Sequence, residues 1–77
     1  MSTYQLDITR DHCPMTFVKT KLKLDQLHTG DVLEVLLNDG EPLENVPLSV
    51  TEQGHTVLDV VPVEGRVHRV NIQKGAG

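Results

Sequence analysis

Residues 13–38, CPMTFVKTKLKLDQLHTGDVLEVLLN, change their hydrophobic period once, and that change decides the fold. From Pro14 to about His28 the apolar residues recur with helical spacing, and Gly30 stands ready as the stop signal. Asp31 to Asn38 is a short, strongly apolar run bounded by turn residues, which reads as a well-buried strand. Proline is favoured at the first position of a helix, where its missing N–H costs nothing. The helix should therefore start at Pro14, with Cys13 at its N-cap.

Upstream, Tyr4, Leu6 and Ile8 alternate with polar residues, as expected of a strand with one buried face, and Arg10 to His12 connect it to the helix. Downstream, Asn38-Asp39-Gly40-Glu41-Pro42 marks a loop. A second helix is expected to begin near Asn45 as its cap, with Pro47 in its first turn and Gly54 at its end. Two strands follow, about His55–Val63 and Arg66–Gln73, joined through Glu64-Gly65 as a hairpin. The tail Lys74-Gly75-Ala76-Gly77 has nothing to bury and reads as mobile. The order is β-α-β-α-β-β. So few elements favour an α+β, two-layer sandwich in which both helices lie on one face of a four-stranded mixed sheet.

The 77 residues make one domain with a thin core, too small for a deep, water-excluding active site. A formal charge of −4 argues against nucleic acid as a direct partner, because phosphate binding needs a basic surface. No apolar run approaches the ~20 residues of a membrane span, and the first residues lack the basic and apolar regions of a signal peptide. Cys13 is the only cysteine, so no internal disulfide forms and a cytoplasmic setting is expected. The dispersed His28, His55 and His68 match no zinc spacing, and no cofactor-binding glycine loop or nucleophile elbow occurs. For His55, after Gly54, a packing or hydrogen-bonding role is expected.

A cysteine at a helix N-cap sits beside unpaired backbone N–H groups and the positive end of the dipole. Both favour the thiolate, which is the nucleophilic form of sulfur. Among its neighbours, Arg10 or a protonated His12 would add positive potential, whereas Asp11 would oppose it. Pro14, Met15 and Thr16 complete the thiol's surroundings. The bland readings are a buried structural thiol for Cys13 and a solvated loop histidine for His12. On the helix, Phe17, Thr20, Leu24 and Leu27 fall on one side as a core face, while Met15, Val18 and Leu22 fall near the opposite side. A helix on a two-layer domain cannot bury both, so the second stripe is expected to stay partly exposed as a docking surface. Scattered surface apolar residues are the alternative. Lys19 and Lys23 share a side at i, i+4 and make the helix locally basic, either to steer an acidic partner or as a plain solvated face.

With Leu6-Asp7, Cys13-Pro14, Leu27-x-x-Gly30-Asp31-x-Leu33-Glu34-Val35, Asn38-Asp39, Asn45-Val46-Pro47 and Gly54-His55 in this order and spacing, the chain resembles the TusA, or SirA-like, family of sulfur-carrier proteins. The resemblance spans nearly the full length. It implies a two-layer α/β sandwich and a sulfurtransferase that accepts sulfane sulfur as a persulfide on Cys13. The implied partners are a sulfur donor, a cysteine desulfurase or a rhodanese-like protein, and a downstream acceptor protein. The resemblance also places Asp39 near the sulfur-bearing cysteine, although turn chemistry alone explains an aspartate there. Two departures stand out: Thr16 replaces the second proline of the family's Cys-Pro-x-Pro signature, and Val50 fills the place of a second cysteine found in some members.

Two other functions fit the same residues. One is a non-catalytic interaction module using the helix stripe, for which Cys13 would be dispensable. The other is a thiol redox sensor forming mixed disulfides. A ubiquitin-like sulfur carrier, which loads sulfur on a C-terminal Gly-Gly, is not expected from Gly75-Ala76-Gly77 and from the element order.

Overall fold

The structure, a computed structural model, describes residues 2–12 and 15–76. Cys13 and Pro14 lie outside the described residues, and with them the expected N-cap cysteine and first-turn proline. The elements are β1 (Thr3–Asp7), α1 (Met15–Asp25), β2 (Val32–Asn38), α2 (Glu41–Glu52), β3 (Thr56–Glu64) and β4 (Val67–Gln73). This is the β-α-β-α-β-β order of an α+β sandwich.

The four strands form one mixed sheet in the order β1-β2-β4-β3. β1 runs parallel to β2, with Leu6 beside Val35, and β4 runs antiparallel to both β2 and β3. β2 is an inner strand whose alternate residues Leu33, Val35 and Leu37 are fully buried. They meet Val70 and Ile72 of β4, Ile8, Leu24 and Leu27, and Val46 and Val50 of α2 in a single cluster. Because both helices contribute to that one cluster, they cover the same sheet face. Edge strand β3 carries Pro62 and two register shifts, devices that blunt an open edge against further pairing.

Four expectations need correction. First, α1 ends at Asp25 rather than near His28. The Asp31 carboxylate accepts the His28 N–H at 3.0 Å and the Ser2 N–H at 3.0 Å, so a side chain takes over donors that would otherwise need the helix or water. Second, α2 starts a full turn early. Asn45 is exposed inside the helix and is not its cap. Gly40, at φ 91°, ends the turn after β2, its carbonyl accepts the Glu44 N–H at 3.1 Å, and Pro42 is the first-turn proline. Glu41 and Glu44 then face the positive end of the dipole, which favours this earlier start. Pro47 lies inside the helix.

Third, the core face of α1 is rotated from the expected one. Thr16, Thr20 and Leu24 are buried while Phe17 is half-buried. The Thr20 hydroxyl donates to the Thr16 carbonyl at 2.8 Å, which satisfies a polar group that would be costly to bury alone. Fourth, the tail is not free from Lys74 onward. The Lys74 N–H donates to the Asp31 carbonyl at 2.7 Å and the Gly75 N–H to His55 Nδ1 at 3.0 Å. A Cβ on Gly75 would lie 1.8 Å from the Gly54 carbonyl oxygen, so only glycine lets the chain pass this close.

Candidate functional site

The connection between β1 and α1, which carries Cys13, is built from local polar chemistry at both ends. At its start, the Asp7 carboxylate accepts the Thr9 N–H at 2.9 Å and the Thr9 hydroxyl at 2.7 Å. These two bonds, the hydroxyl's first, hold the Asp7 carboxyl below its ordinary range. The Ile8 N–H donates to the Leu36 carbonyl at 2.9 Å, prolonging contact with β2. The Asp11 N–H donates back to the Ile8 carbonyl at 3.1 Å. At the far end, the His12 carbonyl accepts the N–H groups of Met15 at 2.7 Å and Thr16 at 3.3 Å. His12 therefore supplies the acceptor for the opening turn of α1.

Two side-chain ties brace this loop. Asn38, the last residue of β2, donates its amide Nδ2 to the Thr9 carbonyl at 2.6 Å. Lys19 on α1 meets the Asp11 carboxylate at 2.7 Å. A third pair closes the opposite wall: Arg66, in the β3–β4 turn, meets the Asp39 carboxylate at 2.7 Å, and the Asp39 N–H donates to the Arg66 carbonyl at 2.8 Å. Between these walls lies a cleft of about 530 Å³, lined by Thr9, Asp11, His12, Asn38, Asp39, Gly40, Glu41, Pro42 and Arg66.

The expected site residues distribute as follows. Asp11, His12 and Asp39 come together around the cleft. Arg10 is exposed and does not line it. Thr16, expected beside the thiol, turns its side chain into the core and is 2% exposed. Met15 at 45% and Leu22 at 56% stay exposed on α1, and Val18 between them is half-buried. The basic stripe is partly neutralised. Lys19 pairs with Asp11, Lys21 with Asp25 at 3.2 Å, and Lys23 Nζ lies over the Tyr4 ring, 5.6 Å from its centroid. Sequence reasoning missed Thr9, Glu41, Pro42 and Arg66 as wall residues, and missed Asn38 as a loop anchor. Their convergence depends on the β2–β4 register, where Asn38 lies opposite Val67, and no local motif announces it.

His55 is 4% exposed, and its Nδ1 accepts a hydrogen bond, which requires the neutral ring. Burial, helped by Lys74, pushes its pKa down from the ordinary value. This histidine organises the C-terminal segment and does not line the cleft. Among the described residues no group of three or more His, Cys, Asp or Glu side chains is placed to hold a metal ion. No helix among them is long and apolar enough to cross a membrane.

Comparison with known proteins places this architecture. The family described as Sulfurtransferase TusA matches residues 4–74. A candidate sulfur carrier protein of Archaeoglobus fulgidus is 39% identical over 69 residues, which span 90% of this chain and 78% of that protein. The candidate sulfur carrier protein YedF of Escherichia coli K12 is 37% identical over 71 residues, spanning 92% of this chain and 91% of its own. The crystal structure of a SirA-like protein from Desulfitobacterium hafniense superposes with a TM-score of 0.82 at 22% identity, covering 94% of this chain and 97% of that one. At that identity the likeness speaks for the fold.

Proposed function

The chain belongs to the TusA family, and from that premise we propose that it is a sulfur carrier whose Cys13 receives and passes on sulfane sulfur. The observation that carries this reading is the position of the only cysteine. In the sequence it stands between His12, whose carbonyl accepts the N–H groups of Met15 and Thr16, and the exposed Met15 that opens an 11-residue helix. Such a position favours a thiolate that partners can reach.

The proposed reaction is thiolate exchange. The Cys13 thiolate attacks the outer sulfur of a donor persulfide. A new S–S bond forms on Cys13, the donor's S–S bond breaks, and the donor leaves as its own thiolate while the transferred sulfur keeps its proton. Delivery repeats the step, with an acceptor nucleophile attacking the outer sulfur and the Cys13 thiolate leaving. No net oxidation occurs. The lack of a second cysteine in the chain favours storage, since an internal thiol would discharge the persulfide as a disulfide.

The partners in this reading are a cysteine desulfurase or rhodanese-like donor and a protein acceptor, and the setting is the cytoplasm, where thiols stay reduced. The exposed Met15 and Leu22, with Val18 between them, form the docking stripe on the helix that follows Cys13 in the chain. Asp39 borders the cleft on the other side.

Incubation with a cysteine desulfurase and free cysteine should add the mass of one sulfur atom to the intact protein, reversibly by reductant. Cys13→Ser should gain nothing. Equal gain by that variant, or no gain by the wild type with either donor class, refutes the assignment. A protein that never loads sulfur but still captures a partner through Leu22 would instead be an interaction module.

A further inference from the structure

Asn38 is distant in sequence from the β1–α1 connection, yet its side chain ties that connection to β2, one step beyond the backbone bond from Ile8 to Leu36. Its Nδ2–H donates to the Thr9 carbonyl at 2.6 Å. The other polar groups of Thr9 are already engaged from below, its N–H and hydroxyl both on Asp7. Further along, Asp11 is tied to α1 by Lys19. The segment leading to Cys13 thus has a sheet-side anchor at Thr9 and a helix-side anchor at Asp11. The sheet-side anchor is the better fixed. Asn38 lies opposite Val67 in the β2–β4 ladder, and the next residue, Asp39, is held through both its N–H and its carboxylate by Arg66. A half-buried amide on a ladder residue has little freedom, whereas Lys19 is a long exposed side chain whose ion pair is worth little in water.

We propose that Asn38 is a positioning residue for sulfur transfer: its hydrogen bond to the Thr9 carbonyl fixes the segment that leads along the chain into Cys13. This rests on the sulfur-carrier reading above. An amide suits the task because it donates without carrying charge. A carboxylate here would repel the carbonyl, and alanine would leave the carbonyl on the cleft side without this donor.

The test uses the full chain as wild type, Asn38→Ala and Asn38→Ser. Three quantities are measured: the pH profile of Cys13 alkylation by iodoacetamide, single-turnover sulfur loading from a desulfurase, and thermal unfolding. With the bond gone, the alkylation profile should move to higher pH. The saturating loading rate should fall about fivefold, the scale of one lost hydrogen bond, with little change in the donor concentration for half-saturation. A purely structural role would lower the melting temperature and leave both profiles in place. A folded Asn38→Ala with wild-type alkylation and loading overturns the proposal. Should the alanine variant not fold, Asn38→Ser, too short to span to Thr9, decides by the same measurements. If the wild type takes no sulfur, the carrier reading fails, and the alkylation profile alone still judges the role of Asn38.

Discussion

Asp31 and His55 sit on either side of the C-terminal segment and respond to acid through related physics. Asp31 accepts two backbone N–H groups, from His28 and Ser2, and these hold its carboxyl below the ordinary value of 3.8. Its stabilising effect is present above that value and disappears as pH falls through the folded-state value. Replacing it by alanine should lower the melting temperature at neutral pH by freeing the start of β1, and should flatten the acid limb of stability. His55 is held neutral in the fold by burial, with Lys74 and Lys21 adding to the effect and Asp25 opposing it. The unfolded chain therefore binds more protons below 6.5, and stability should decline as pH drops from that value toward the folded-state value. His55→Asn keeps an acceptor for the Gly75 N–H but does not titrate. Melting curves between about pH 7 and about pH 5 should be flatter for this variant than for the wild type. An unchanged slope would remove His55 from the account.

Among the elements, α1 carries the largest division of labour. One side buries Thr16, Thr20 and Leu24, and another leaves Met15 and Leu22 in solvent. A charge placed on the open side should spare the fold, because surface substitutions typically cost less than ~0.5 kcal/mol. Leu22→Asp is therefore expected to melt like the wild type while losing sulfur uptake from a protein donor. Uptake from a small-molecule persulfide should persist, and loss of both would point away from docking. The C-terminal segment tests a different contact. Gly75→Ala puts a Cβ against the Gly54 backbone, which cannot yield as a flexible side chain would. Faster exchange of the Gly75 and Lys74 amides, with a lower melting temperature, should follow. The start of α2 was not legible because Pro42 and Pro47 each satisfy a first-turn rule. The positive φ of Gly40 and the carbonyl it offers to Glu44, together with Glu41 and Glu44 in the first turn, favour the earlier one.

At the scale of the molecule, ten buried apolar side chains among the described residues form one cluster that holds two layers together, with no internal disulfide to assist. A domain of this size has little stability in reserve, on the order of 5 kcal/mol. Leu33, fully buried on the inner strand β2, is therefore a sensitive position. Leu33→Ala should cost about 2–5 kcal/mol, and chemical denaturation should find its midpoint at much lower denaturant than for the wild type. The thinness of this core also explains why the candidate site is an open cleft at the edge, where β1, β2, α2 and the β3–β4 turn meet, and not an enclosed cavity.

Element order, the mixed two-layer architecture and the exposure of Met15 and Leu22 were determined by sequence alone, because hydrophobic period, glycine stops and proline placement act over a few residues. The strand order β1-β2-β4-β3, the turn of α1 that buries Thr16 in place of Phe17, the bond from Asn38 to the β1–α1 loop and the place of Arg66 across the cleft were decided only by tertiary structure. Each of these depends on register and packing between segments far apart in the chain, where the contacts that choose one arrangement exist only after the layers have closed.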